Sequence, residues 1–326
     1  MIELTDTNSS AIAAEMVAER ARHGSPAMGM VMTLVIVVAE NEAGAALGAA
    51  RRASHEHPAR VLGVILASAR GKPTVNAQIG VGDGWSGETA LIRLSGEVVR
   101  HAESVVLPLL LPDSPVVVWW PSDHPDHPAN DPIGALAQRR ITDAAAVRSG
   151  RSTALRRLCA AYAPGTTDLA WTRLTPWRAL LAAALDQQPL KVRHAVVTAE
   201  RVSPSADLLA AWLSDRLKVA VDRSTSAGPG ITDVVLDTAD GPIEIARKDG
   251  RLATFSSPGR PDRPVALKRR EIPDLLAEEL RRLDEDDVYA ATAKKMVASQ
   301  EPKRKQTRKT TGRSTGKSTR KAAKKS

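Results

Sequence analysis

One cysteine, one phenylalanine and two tyrosines in 326 residues leave this chain with little thiol or aromatic chemistry. The lone Cys159 excludes an intrachain disulfide, and with no thiol cluster there is no zinc or iron–sulfur centre to read. No apolar run approaches the roughly 18 residues of a membrane span. The opening Met1-Ile2-Glu3-Leu4-Thr5-Asp6 puts acids where a secretory signal carries positive charge. A cytoplasmic chain with no membrane partner, stabilised by packing, is the expectation. A Gly-x-Ser-x-Gly elbow is missing, as is any evident carboxylate pair, so no catalytic residue and no cofactor are read from the sequence.

Charge is present but unevenly placed. The 46 Lys and Arg against 37 Asp and Glu give a net +9. Residues 301–326 hold 11 of those basic residues and one acid, which leaves the first 300 residues at −1. A nucleic-acid-binding core needs clustered Lys and Arg on its folded surface, so that class is excluded for the body of the chain. The segment 301–326 remains able to hold nucleic acid or an acidic partner by charge, or to serve only as a solubilising extension.

Hydrophobic patterning predicts an α/β chain of two domains. Residues 1–27 read as a polar, partly ordered segment with a helix around 11–22. Met30 to Val38 is continuously apolar and β-branched, as a strand buried on both faces would be. A helix over 41–55 and a strand over 61–66 follow, then strand-like runs at 75–81 and 89–94, helical spacing over 98–110 and the apolar strand 115–120. Helices are expected at 133–140, at 153–163 and from Thr175, where Trp177, Leu180, Leu181 and Ala184 share a face. This makes residues 28–189 an N-terminal layered α/β domain with a mixed sheet.

Residues 190–298 read as a smaller α+β domain. A strand at 193–199 and a helix at 204–217 behind Ser203 precede a strand at 219–222. Runs at 231–236, 243–246 and 252–255 are separated by Asp240-Gly241 and Asp249-Gly250, two hairpin signals that predict an antiparallel meander. A helix over 273–283 closes the fold, with Glu278 placed to pair Arg282. Residues 299–326 are expected to be a disordered tail rich in Lys and Arg.

Several motifs have a bland reading beside a chemical one. Gly82-Asp83-Gly84-Trp85-Ser86-Gly87 satisfies a dinucleotide fingerprint in letters, but a strand follows it where a helix start is needed, so a glycine turn is expected. Gly312 to Ser318 resembles a phosphate loop with one residue too few between its glycines. Asp123-His124-Pro125-Asp126-His127 and His55-Glu56-His57 concentrate potential metal ligands without a second run at ligand spacing, so a surface loop and a helix end are expected instead. The tryptophans near Arg139, Arg140, Arg173 and Arg178 suit a core, or a protein-binding patch of the kind Trp and Arg dominate.

Long runs carry a resemblance. Arg51 to Arg60 (RRASHEHPAR), Leu107 to Pro121 (LPLLLPDSPVVVWWP), Arg139 to Asp143, Asp168 to Leu181 (DLAWTRLTPWRALL), Gly228 to Thr232 and Leu276 to Val288 (LAEELRRLDEDDV) resemble the glucose-6-phosphate dehydrogenase assembly protein family, OpcA, in its actinobacterial form. The resemblance implies a non-enzymatic partner that assembles or allosterically activates glucose-6-phosphate dehydrogenase at the entry of the oxidative pentose phosphate pathway. Trp119, Trp120, Arg139, Arg140, Trp171, Arg173, Trp177 and Arg178 are the expected contact residues. A sugar-phosphate enzyme holding its anion on Arg51, Arg52 or Arg60 is the alternative, and a nucleic-acid-associated protein acting through its tail is another. The thiol control associated with photosynthetic members cannot be repeated within a chain that has only Cys159.

Overall fold

The computed structural model describes residues 1–23, 30–82, 87–187 and 189–299. The first half is built on an eight-stranded sheet. Its elements are β1 (Ile2–Leu4), α1 (Ser9–His23), β2 (Thr33–Ala39), α2 (Ala43–Ser54), β3 (Arg60–Leu66), β4 (Thr74–Val81), β5 (Glu88–Ser95), α3 (Ala102–Val106), β6 (Val116–Trp119), β7 (Arg139–Thr142), α4 (Arg151–Ala160) and β8 (Thr166–Asp168). Their spatial order is β1-β4-β5-β3-β2-β6-β7-β8, parallel from β5 through β8, with β4 and β1 added antiparallel at one edge.

The apolar run at β2 explains the layering. Leu34, Ile36 and Val38 face one way, into a cluster with Ala46, Ala50 and Ala53 of α2. Val35 and Val37 face the other way, onto Ile12 and Met16 of α1 and onto Val105, Val106 and Leu109. A strand covered by helices on both sides needs apolar residues at every position. The segment 1–23, expected to be only partly ordered, thus supplies a strand and a core helix.

The second half holds α5 (Leu169–Thr172), α6 (Thr175–Gln187), β9 (Val192–Ala199), α7 (Pro204–Leu217), β10 (Ala220–Thr225), β11 (Ile231–Thr238), β12 (Pro242–Ala246), β13 (Leu252–Ser257), β14 (Arg260–Ala266), α8 (Ile272–Leu280) and α9 (Asp287–Ala298). Its six-stranded sheet runs β10-β9-β11-β12-β13-β14, with β10 parallel to β9 and every other pair antiparallel. The expected meander is present and gains β14.

Four expectations are corrected. The helix expected at 133–140 is a short 3₁₀ turn, Gly134–Leu136, followed by strand β7. The domain boundary expected at 189 falls earlier by packing, because Leu155, Leu158, Trp177 and Leu181 join the core of the second sheet with Val197, Leu209 and Ile245. The closing helix α8 returns to the first half, where Leu275, Leu276 and Leu280 lie against α2. Glu278 pairs with Arg270 rather than Arg282. Helix α9, not foreseen, packs Tyr289, Ala293 and Met296 into the second core.

Candidate functional site

In a sheet of this order, ligands bind outside the carboxyl ends of the strands at the point where the winding reverses. That point lies between β2 and β6. A crevice of about 370 Å³ opens there, lined by Val38, Ala39, Glu42, Trp120, Ser122 and Asp131 among others. Its floor is built by the apolar strand ends, and its rim by the proline-punctuated loop after Trp120.

The crevice does not fit the dinucleotide that this strand order accommodates elsewhere. The turn from β2 to α2 reads Glu40-Asn41-Glu42 in a 3₁₀ turn, where a pyrophosphate needs glycines and free backbone amides. Two carboxylates occupy the positive end of α2 instead. Glu42 accepts a hydrogen bond from the Ser122 hydroxyl, and Glu40 pairs with Arg93. Glu103, Asp123 and Asp131 also line the walls, with Arg100 among them and Asp123 paired to Arg148. After β3 the chain reads Ala67-Ser68-Ala69-Arg70, so no carboxylate follows to take ribose hydroxyls. Phosphate brought to the start of α2 would meet the Glu42 carboxylate where the dinucleotide loop offers glycine amides.

The residues expected to form a contact patch are mostly interior. Trp119, Trp120, Arg139, Trp171 and Trp177 are at most 3% exposed, and Arg140 is buried as well. Successive side chains of a strand point to opposite faces, so Trp119 enters the cluster beneath α8 while Trp120 enters the α1 side and the crevice wall. Arg140 is spent on backbone carbonyls, donating to Ala137 O at 2.6 Å, Gly134 O at 3.3 Å and also to Pro164 O. Arg139 joins Glu279 of α8 at 2.6 Å and donates to Asp284 O at 2.8 Å. The alternation of Trp and Arg is an intramolecular stack: Arg178 lies 3.8 Å above the Trp171 ring and Arg247 5.0 Å from the Trp177 ring. The indole of Trp171 also donates to Asp286 at 2.8 Å. Of the eight, only Arg173 and Arg178 are half exposed, and Arg173 is held by Asp143 through two bonds of 2.7 Å. Six of the eight positions thus belong to an internal framework, with Arg173 and Arg178 at its edge.

The other candidates are accounted for locally. Arg60, an anion holder in the enzyme alternative, is buried on Glu88 at 2.6 Å and on Leu109 O at 2.8 Å, while Arg52 pairs with Glu271 at 2.9 Å. Asp123 is taken by Arg148 and Asp126 by Arg157. The His55–His57 run follows the end of α2, where Glu56 pairs with Arg281 and the His57 ring meets Ala277 O at 3.1 Å. Among the described residues no three His, Cys, Asp or Glu side chains gather as a metal site, and no helix is long and apolar enough to cross a membrane. Gly82 and Gly87 flank the antiparallel turn from β4 to β5, whereas residues 83–86 lie outside the described segments, as do the phosphate-loop likeness and the expected nucleic-acid-binding tail at 301–326.

Fold and crevice together define a two-domain α/β protein with the strand order of dinucleotide-binding proteins and an acidic turn where their phosphate loop would be. Family models match both halves: residues 50–160 as a glucose-6-phosphate dehydrogenase subunit N-terminal domain and residues 164–293 as the corresponding C-terminal domain. The chain belongs to the glucose-6-phosphate dehydrogenase assembly family, OpcA. A search of the curated proteins returned no match. Similar solved structures include the 3-ketoreductase KijD10 from Actinomadura kijaniata in complex with NADP, at 10% identity over 82% of this chain and 95% of that one, with a TM-score of 0.47. An oxidoreductase from Sinorhizobium meliloti matches at 10% identity over 83% and 90%, TM-score 0.41. Biliverdin reductase from Synechocystis matches at 9% identity over 82% and 98%, TM-score 0.40.

Proposed function

We propose that the chain is a non-catalytic cytoplasmic partner of glucose-6-phosphate dehydrogenase, an assembly factor or allosteric effector acting at the entry of the oxidative pentose phosphate pathway. The observation that carries the reading is the coincidence of family membership across both halves with a switch point occupied by Glu40 and Glu42. A turn without the glycine amides that hold a pyrophosphate supports a role in contact rather than in hydride transfer. To activate, it binds the active conformation or oligomer of the enzyme more tightly than the inactive one, and its effect is bounded by that difference.

The test is a titration of purified dehydrogenase with the full chain, following steady-state rate and light scattering together. Saturable activation with a stable mixed complex is expected. Absence of both a complex and a rate change removes the reading. Turnover of hexose phosphates by the isolated chain removes its non-catalytic part.

A further inference from the structure

A second pocket, of about 290 Å³, lies in the second half between the start of α7, the first residues of β11 and the segment 267–270 that leads into α8. Its charge is unbalanced. Arg173 and Arg270 reach its wall already neutralised, by Asp143 and Glu278 respectively. Arg247 has no such partner. It is 6% exposed, donates to Leu267 O and Ile231 O at 2.9 Å each, rests against the Trp177 ring, and forms no ion pair among the described residues. Its buried Nε has no acceptor. Lys268 and Arg269 line the same pocket and form no ion pair among the described residues either, while Glu200 is the single carboxylate on its wall.

The helix end adds to this field. Pro204 and Ser205 of α7 line the pocket, and the buried Ser203 at its N-cap makes no side-chain cap, while Asp207, the acid of the first turn, is engaged by Arg223 at 3.0 Å. Burying a guanidinium without a counter-charge is costly, so an anion reaching the unpartnered Nε would gain a strong, desolvated contact. Burial and the neighbouring Arg269, opposed by the charge of Asp249, push Arg247 down to about 10, still fully charged at neutral pH.

We infer that this pocket binds the phosphate group of a small phosphorylated metabolite, with Arg247, Arg269 and Lys268 as the cationic grip and the start of α7 as the amide end. A cavity of about 290 Å³ stands at the small end of ligand pockets, which span roughly 300–1,000 Å³, and so suits a small phosphate ester rather than a dinucleotide. The inference goes beyond the dehydrogenase reading and is tested on the isolated chain, so either can fail alone.

The experiment is isothermal titration calorimetry on the full chain at fixed ionic strength, with glucose 6-phosphate, inorganic phosphate and glucose as separate probes. Saturable binding of glucose 6-phosphate and none of glucose is expected. Equal affinity for inorganic phosphate supports the anion site and assigns free phosphate as its occupant, whereas tighter binding of the ester assigns a sugar phosphate. Arg247→Met should weaken binding about tenfold or more, since hydrogen bonds to charged groups are the strong ones. Because Arg247 is buried, a Lys268→Ser, Arg269→Ser variant at exposed positions provides the same test without a folding risk. Unchanged affinity in that variant, or no binding of either phosphate probe at millimolar concentration, overturns the inference.

Discussion

Replacing Glu279 by alanine removes the carboxylate that ties α8 to the first sheet. Glu279 accepts from Arg139 Nη2 and from the Thr172 hydroxyl, each at 2.6 Å, and the two charged side chains are 4% and 9% exposed. The alanine variant leaves a buried guanidinium with only Asp284 O as an acceptor, and its Nε is already unpartnered. Breaking one side of such a pair costs about 3–5 kcal/mol, a large share of the 5–15 kcal/mol by which domains are stable. Glu279→Gln keeps the acceptor for Thr172 and loses the charge, so its cost is smaller, about 1–3 kcal/mol. An Arg139→Met, Glu279→Met double variant leaves no orphaned charge and should fall within about 1 kcal/mol of the parent or exceed it. Urea unfolding followed by tryptophan emission measures these proteins together with the Arg139→Met and Glu279→Met single variants, and the double-mutant cycle built on the methionine set isolates the pair. If Glu279→Ala costs under about 1 kcal/mol, or if the double variant is as unstable as the two single losses added, the pair does not clamp α8. The same arithmetic means that reversing the charge of Arg139 probes folding before it probes partner contact.

Asp233 has a buried oxygen without a partner, and burial with nearby Glu244 pushes its pKa up to about 6. A group raised in the folded state lends stability that is full below its unfolded value near 4 and lost as pH rises through about 6. Asp233→Asn should therefore flatten that slope and raise stability at pH 8 by about 1 kcal/mol, discounted for partial exposure; a variant whose unfolding curve matches the parent at every pH refutes it. Burial pushes the Cys159 thiol up to about 12, and it sits 3.7 Å from the Met296 sulfur. A thiol-reactive chromophore should label it only on unfolding, and rapid stoichiometric labelling of the native chain would show otherwise. A Cβ on Gly134 would stand 1.9 Å from Pro128 O and 3.0 Å from Trp120. Gly134→Ala is expected to cost about 1–3 kcal/mol and to shift tryptophan emission at the crevice, and a thermal midpoint equal to the parent's counts against this packing.

What was legible in the sequence was whatever period and composition encode locally. The continuous apolar runs at β2 and β3 announced strands covered on both faces, and the Asp-Gly pairs announced the hairpins. What was not legible depends on distant partners. Strand β7 reads Arg139-Arg140-Ile141-Thr142, too polar for a buried strand until Glu279 and the carbonyls of Ala137 and Pro164 are brought to its guanidinium groups. Helix α9 shows few large apolar residues, so its Ala-rich face gave no periodicity. Helices α4 and α6 are plain amphipathic helices, and nothing in their own residues says which of two sheets they will cover.

The same limit governs the sites. Trp beside Arg is the composition of an interface hot spot and equally of an internal stack, and only the observed burial of Trp171 under Arg178 separates the two. The cationic pocket draws on residues spread from Arg151 to Arg270, joined by a helix start and a strand end that no local window contains together. One signal was available: Lys268-Arg269-Arg270, a basic triplet placed between a strand and a capped helix in a body that is otherwise nearly neutral. A charge run in that position is usually a solvated face. It differs here because the fold carries a buried arginine, Arg247, to the same spot without an ion-pair partner among the described residues and with its Nε unpartnered, beside an uncapped helix start that favours an anion.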